Sequence, residues 1–445
     1  MSTTVRHLLT LLGLLNLCAL AGPLFAGLVA GPMLSHVDMR EAKVWVQTDS
    51  PAFVRIAYSE ATSSTLQWSI PIETQVSQAN TATITLNGVE PGKTYSYRVE
   101  VNGTLVTEAN TLITPSFYHE RQPPPDFRIA IGGAHYQTEP GFEPPYQILG
   151  SSYGIFKTLL ESKPELMIWT GNTAHLRQSD WSTQSGHYKR FSQARQTSEL
   201  KPLLASIPHY ATWGSADYAF NNSGKYYSHR HQAESCFKAF WPRPVEVPQL
   251  DGIATRFRRA DVDFFLLDVR SYRDDTPHSQ KRPEILGTEQ IEWLRQELVR
   301  SSATFKIIIA GAPILNPADS PNNLSYATDE QTRLLEMLRT EKISGLFFIS
   351  GGKYHGELTR LVHVSSYNLY DLSIGPLTAN PKPVDELNYF RMPGTNTLER
   401  QFALIDFTGP EANRQLTIRV MSIEGKELWN RTIRSKELQP VHDEP

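Results

Sequence analysis

The stretch LMIWTGNTAHLR, residues 166–177, decides how the rest of the chain is read. Leu166 to Trp169 is a short apolar run, as expected of a strand buried on both faces, and Gly171-Asn172-Thr173 ends it. In open α/β sheets ligands bind outside the carboxyl ends of the strands. The loop from Gly171 therefore stands where catalytic or metal-binding groups belong. It offers an amide and a hydroxyl where a metal site wants a carboxylate. Similar runs lie on either side: 127–131, 209–213, 263–268, 306–309 and 346–349. Helical spacing of apolar residues marks 153–162, 288–300 and 328–340 between them. The 288–300 helix is expected to start on a Thr288 cap, with Glu289 and Glu292 suiting the dipole of its first turn. Strands alternating with helices predict a layered α/β fold. Beyond residue 400 the pattern returns to strands at 402–405, 416–420 and 426–429, with a turn at Glu424-Gly425.

Upstream, residues 31–115 alternate polar and apolar side chains in strand after strand, the mark of a β-sandwich. Asn102-Gly103 is a hairpin turn. The stretch from Leu86 to Tyr97 resembles a fibronectin type III corner, in which a tyrosine after the turn ties the sheets together. Residues 116–126 form a linker stiffened by Pro123, Pro124 and Pro125. Residues 1–26 read as a signal peptide: Arg6, an apolar run to Ala21, and small residues at several possible cleavage points. An uncleaved N-terminal anchor is the alternative. Removal of the signal would take Cys18 with it, leaving Cys236 without a disulfide partner. A formal net charge of −3 gives no general attraction to nucleic acid. No later stretch reaches the ~20 apolar residues of a membrane span.

Several ordered blocks carry a resemblance. They are GPMLSHVDMREAKVWVQT (31–48), SELKPLLASIPHYATW (198–213), DVDFFLLDVRSYR (261–273), ILGTEQIEWL (285–294), NLYDLSIGPLT (368–378) and RQFALIDFTGP (400–410). Together they resemble the alkaline phosphatase D (PhoD-like) family of secreted metallophosphoesterases. The resemblance implies a fibronectin III-like β-sandwich followed, over 127–435, by a layered α/β metallophosphatase-like (calcineurin-like) domain. It also implies iron, calcium or other divalent metals held on loops at strand ends.

Carried over position by position, the family's metal motifs are stripped. Its Gly-Ser-Cys loop is Gly132-Gly133-Ala134 here. Its Gly-Asp-Asn-x-Tyr-Leu-Arg is Gly171-Asn172-Thr173-Ala174-His175-Leu176-Arg177, so Asn172 replaces a bridging Asp and His175 a ligand Tyr. Its Trp-Asp-Asp-His-Asp-Tyr-Gly is Trp213-Gly214-Ser215-Ala216-Asp217-Tyr218-Ala219, keeping Asp217 and Tyr218 alone of the polar groups. Its Ser-Gly-Asp-Arg-His-His-x-Glu-Leu is Ser350-Gly351-Gly352-Lys353-Tyr354-His355-Gly356-Glu357-Leu358, losing the ligand Asp at Gly352 and the ligand His at Tyr354. Close cations require hard anionic ligands, so no metal cofactor is expected.

The expectation is an exported pseudo-phosphatase, periplasmic or extracellular, that acts by binding a partner protein or a phosphorylated ligand. The alternative is a metal-dependent phosphomonoesterase or phosphodiesterase with a remodelled site. His175, His355 and Asp217 are the candidate ligands of a rebuilt metal site, since imidazole suits zinc. His135, Asp217, Asp268, Arg270 and His355 form the candidate residual site; the resemblance implies that Asp268 and Arg270, in its LD-x-R pattern, help shape the site, and a structural ion pair between them is the alternative. His175, Tyr354 and Phe220 are expected to fill the space the metals would leave, because an empty cavity is unfavourable. The Tyr226–His231 run reads as a solvated, weakly basic loop.

Overall fold

The computed structural model describes residues 26–143, 149–275, 283–362, 366–383 and 386–440. The signal-peptide reading of 1–26 thus lies outside the described residues except at Ala26.

The first nine strands are β1 (Leu28–Val37), β2 (Ala42–Thr48), β3 (Phe53–Glu60), β4 (Gln67–Trp68), β5 (Ile72–Glu73), β6 (Thr81–Leu86), β7 (Thr94–Val101), β8 (Thr104–Leu105) and β9 (Asn110–Ile113). They make a three-stranded sheet, β1-β2-β6, and a second built on β3 and β7. Leu34, Val44, Val46 and Ile84 from one sheet and Val54, Ile56, Val99 and Val101 from the other share one core. The Tyr95 hydroxyl accepts from Glu90 N at 2.8 Å, closing the corner before β7.

The remaining strands are β10 (Phe127–Gly132), β11 (Leu166–Trp169), β12 (His209–Ala211), β13 (Thr255–Arg259), β14 (Val262–Leu266), β15 (Phe305–Ala310), β16 (Leu346–Ser350), β17 (Glu357–Leu361), β18 (Leu369–Ser373), β19 (Gln401–Thr408), β20 (Gln415–Ser422) and β21 (Glu427–Arg434). They form two six-stranded sheets, β12-β11-β10-β19-β20-β21 and β13-β14-β15-β16-β18-β17. β10, β11 and β12 run parallel, as do β14, β15, β16 and β18. Their carboxyl ends therefore gather the loops that follow β10, β11, β12 and β16.

Alternation along the strands explains the layering. Ile129, Ile131, Leu166 and Ile168 face a core shared with Phe264, Ile307 and Phe348 of the other sheet. Ala130, Met167 and Trp169 face the opposite way, onto a second core built with helices. Those helices are α1 (Ile155–Glu161), α2 (Gln184–Arg195), α3 (Lys201–Ser206) and α5 (Arg230–Phe240); the short α4 (Ser215–Tyr218) follows β12. α6 (Thr288–Arg300) and α7 (Thr328–Thr340) pack their apolar faces into the core of the second sheet. Tyr210, Phe257 and Phe264 stack in sequence, with centroids 3.7 and 4.6 Å apart, pinning the two sheets together.

The start of α6 differs from the sequence expectation. Gly287 precedes the helix and Thr288 makes no capping bond. The cap comes from α7 instead. The buried Glu330 carboxylate accepts the N–H groups of Ile285, Leu286 and Gly287 at 2.8, 2.9 and 2.6 Å. A carboxylate offers stronger, charge-assisted bonds than a hydroxyl, and only the fold brings it there.

Candidate functional site

The loops after β10, β11, β12 and β16 meet at one edge, with backbone pressed against backbone. A Cβ on Gly171, which sits at φ +100°, would lie 2.4 Å from Gly214 N; one on Gly351 would lie 1.9 Å from Thr170 O. Glycine alone permits this approach and, at Gly171, this backbone geometry.

Asp217 is the knot of the assembly. Its Oδ1 accepts Thr173 N at 2.6 Å, Ala174 N at 2.9 Å and the Thr173 hydroxyl at 3.0 Å. Its Oδ2 accepts Gly214 N at 3.0 Å. Burial raises its pKa, and the hydrogen bonds work against that rise. Both oxygens are occupied in holding loop 171–174 to α4. Asn172 Oδ1 in turn accepts Ala216 N at 3.0 Å, so the amide is a loop fastener.

His175 lies beside them at φ +46°. Nδ1 stands 3.1 Å from His135 O and Nε2 stands 2.9 Å from the Tyr354 hydroxyl. A carbonyl only accepts, so Nδ1 carries the proton and Nε2 accepts from the phenol. Burial pulls the His175 pKa down to about 4 and pushes the Tyr354 phenol up. The ring is therefore neutral near neutral pH, with its one lone pair taken. Tyr136 packs edge-on to it at 5.2 Å, and Lys382 Nζ sits 4.6 Å over the Tyr354 ring.

The structure separates the other candidates. His135 is buried, with Nδ1 at 2.9 Å from the Thr378 hydroxyl and Nε2 at 3.3 Å from Ala194 O; burial lowers its pKa to about 3. His355 turns away from His175, placing Nε2 3.7 Å from Glu357 Oε2. Burial pushes the Glu357 carboxyl up, but the nearby His355 ring and hydrogen bonds from Asn388 and Arg391 outweigh it and hold the pKa at about 2. Asp268 accepts the Trp213 indole N–H and the N–H groups of Ile253, Arg270 and Ser271. The Asp268–Arg270 ion pair does not form, because the bond goes to the Arg270 backbone. Phe220 is also not where expected. It is 44% exposed and packs on Trp181 and Tyr227, so the residues that crowd the loops are His175, Tyr354 and Tyr136. Ala134, Ser215, Ala216 and Gly352 line the same edge without a side chain able to bind a cation strongly. Among the described residues no group of three or more His, Cys, Asp or Glu side chains is placed to hold a metal ion. The donor set does not fit a multinuclear centre: Asp217 and His175 are committed to internal bonds, and Asn172, Ser215 and Gly352 offer no carboxylate beside them.

Sequence reasoning missed Lys382 and Arg273. Nothing local marks Lys382. Arg273 had a signal, its spacing of three from Arg270, which lets Arg273 N bond Arg270 O at 3.1 Å in one turn.

Comparison with known proteins agrees with this architecture. Residues 169–387 match the PhoD-like phosphatase family, and residues 25–117 match a domain of unknown function, DUF7800. Alkaline phosphatase D of Bacillus subtilis (strain 168) is 24% identical over 265 residues, 52% of this chain. The match spans 44% of that relative's length. The solved structure of PhoD superposes with a TM-score of 0.71 at 15% identity, covering 93% of this chain and 92% of that one. Purple acid phosphatase PPD1 from yellow lupin (Lupinus luteus) seeds superposes at 0.63 with 11% identity, covering 91% of this chain and 74% of that one. Sheet order, the loops at the parallel strand ends and these matches agree: residues 169–387 belong to the PhoD-like phosphatase family, and the chain shares the fold of PhoD.

Proposed function

We propose that this protein is an exported, catalytically inactive PhoD-like phosphatase that acts by binding a partner protein or a phosphorylated ligand. The observation that carries the reading is the His175–Tyr354 hydrogen bond. It occupies the one imidazole lone pair at the heart of the four loops. The replacement of family carboxylates at Asn172, Ser215 and Gly352 supports it. Two unit charges 4 Å apart interact by about 4 kcal/mol at an effective dielectric of 20, and that attraction is missing for each absent carboxylate. Export is supported by the pattern of residues 1–26, and the periplasm or the cell exterior is the corresponding destination. The 31–115 sandwich, in the fibronectin III mould, suits partner binding.

The test is metal content. The mature chain is incubated with iron, calcium, zinc and manganese, desalted, and its bound metal quantified by mass spectrometry, with hydrolysis of p-nitrophenyl phosphate followed in parallel. No stoichiometric metal and no hydrolysis are expected. Tightly bound metal that is lost in His175→Ala or His355→Ala would overturn the reading in favour of a remodelled phosphoesterase.

A further inference from the structure

Two arginines on the loop after β14 are buried and, among the described residues, neither guanidinium is hydrogen-bonded to a carboxylate; Asp268 and Asp217 act on Arg270, and Asp274 and Asp275 on Arg273, only from a greater distance. Arg270 and Arg273 are each 2% exposed. Arg270 makes one side-chain hydrogen bond, a long one of 3.4 Å from Nη1 to Ser223 O, and its Nε has no partner. Arg273 donates from Nη2 to Pro321 O at 2.6 Å and to Asn222 Oδ1 at 3.5 Å; its Nε is also unpartnered. The two head groups thus converge on the Asn222–Ser223 turn. Burial, followed by the neighbouring Arg273 charge, lowers the Arg270 pKa to about 9, against an opposing pull from Asp268, Tyr218 and Asp217.

The carboxylates nearby are already engaged. Asp268 accepts from Trp213, Ile253, Arg270 and Ser271. Asp274 pairs with Lys225 at 2.8 Å, and Asp275 accepts Tyr226 N. Unpaired buried charge is strongly destabilising, and an unsatisfied buried donor in a native fold calls for an explanation such as a bound ion. The place is next to the altered loops. Asp217 holds loop 173–174, while its neighbour Tyr218 donates its hydroxyl to Gly224 O at 2.9 Å, so α4 touches both regions.

We propose that Arg270 and Arg273, with the Asn222–Ser223 turn, form a metal-independent site for a small tetrahedral oxyanion, free phosphate or sulfate. Guanidinium forks match the geometry of such an ion and donate to it in pairs. The two unpartnered Nε–H groups and the weakly bonded Nη groups are the donors it would use. This deepens the binding reading above by naming a ligand class, and it rests on that reading only in requiring no metal.

Thermal unfolding of the mature chain, with and without EDTA, tests it, with phosphate or sulfate titrated against chloride at matched ionic strength. Phosphate and sulfate are expected to raise Tm saturably and beyond chloride. Arg270→Met and Arg273→Met should each weaken the phosphate response by about tenfold or more. Without phosphate they should be at least as stable as the parent, because an unpaired buried charge is gone. Arg270→Lys, which keeps the charge and loses the fork, supplies a milder variant and should also bind more weakly. No response beyond chloride would overturn the oxyanion site and leave the inactive-phosphatase reading standing. A response unchanged in all three variants would likewise overturn it. A response that EDTA abolishes would overturn both.

Discussion

Asp217 works as a structural anchor. Four donors converge on it from two loops, and hydrogen bonds to a charged group contribute about 1.5–3 kcal/mol each in favourable cases. That strength explains why an ionisable group remains at the site although burial disfavours its charge. Tyr354 has a smaller role of the same kind: its hydroxyl satisfies His175 Nε2. Tyr354→Phe keeps the ring and strands a buried acceptor. The expected cost is roughly 1–3 kcal/mol, read by urea denaturation, with metal content unchanged. A gain of bound metal in that variant would mean that His175 had been held back from coordination by the phenol alone. At this scale the residue types were legible from the motif alignment. Which way each side chain turned was not: His355 faces Glu357, Phe220 faces Trp181, and Asp268 binds the Arg270 backbone. Spacing along a chain does not specify rotamers in loops.

At the scale of elements, the strands and the long helices α6 and α7 were readable because they bury apolar faces with clear periods. α2 was not, and the reason is visible in what it buries. Its inner face holds His187, Arg190 and Arg195 beside Phe191 and Ala194, so no apolar stripe marks it. Those polar groups find tertiary partners, Arg190 Nε in His175 O and Arg195 Nη2 in Phe240 O, although Arg195 Nε has none among the described residues. The start of α6 makes the same point, since its cap, Glu330, comes from α7. Glu330→Ala should leave three buried N–H groups unpaired and lower stability by roughly 3 kcal/mol or more. Hydrogen exchange should show faster exchange concentrated at Ile285–Gly287 and the first turn of α6. Uniformly faster exchange would argue that the carboxylate acts on the whole fold and not as a local cap.

At the scale of the whole molecule, the N-terminal sandwich is docked through specific bonds. Trp45 Nε1 donates to Ala239 O at 2.7 Å, and its ring packs 5.6 Å from Phe240. The Tyr97 hydroxyl donates to Ala205 O at 2.7 Å. Arg195 lies 3.9 Å over the Trp241 ring and near those of Trp45 and Phe240. Trp45→Ala should therefore cost roughly 3–5 kcal/mol. It should shift one cooperative denaturation transition, observed alike by far-ultraviolet dichroism and tryptophan fluorescence. Two separated transitions would show that the sandwich and the α/β unit fold independently. The sequence by itself determined the two kinds of sheet and the position of the loops. Those depend on periodicity and residue identity, which are local properties of the chain. The tertiary structure alone decided that Asp217 and His175 are fully engaged, that Glu330 caps a distant helix, and that Arg270 and Arg273 lie together with, among the described residues, no carboxylate bonded to either guanidinium. Each of these is a balance of burial against available partners, and those partners are supplied by segments far away in the chain.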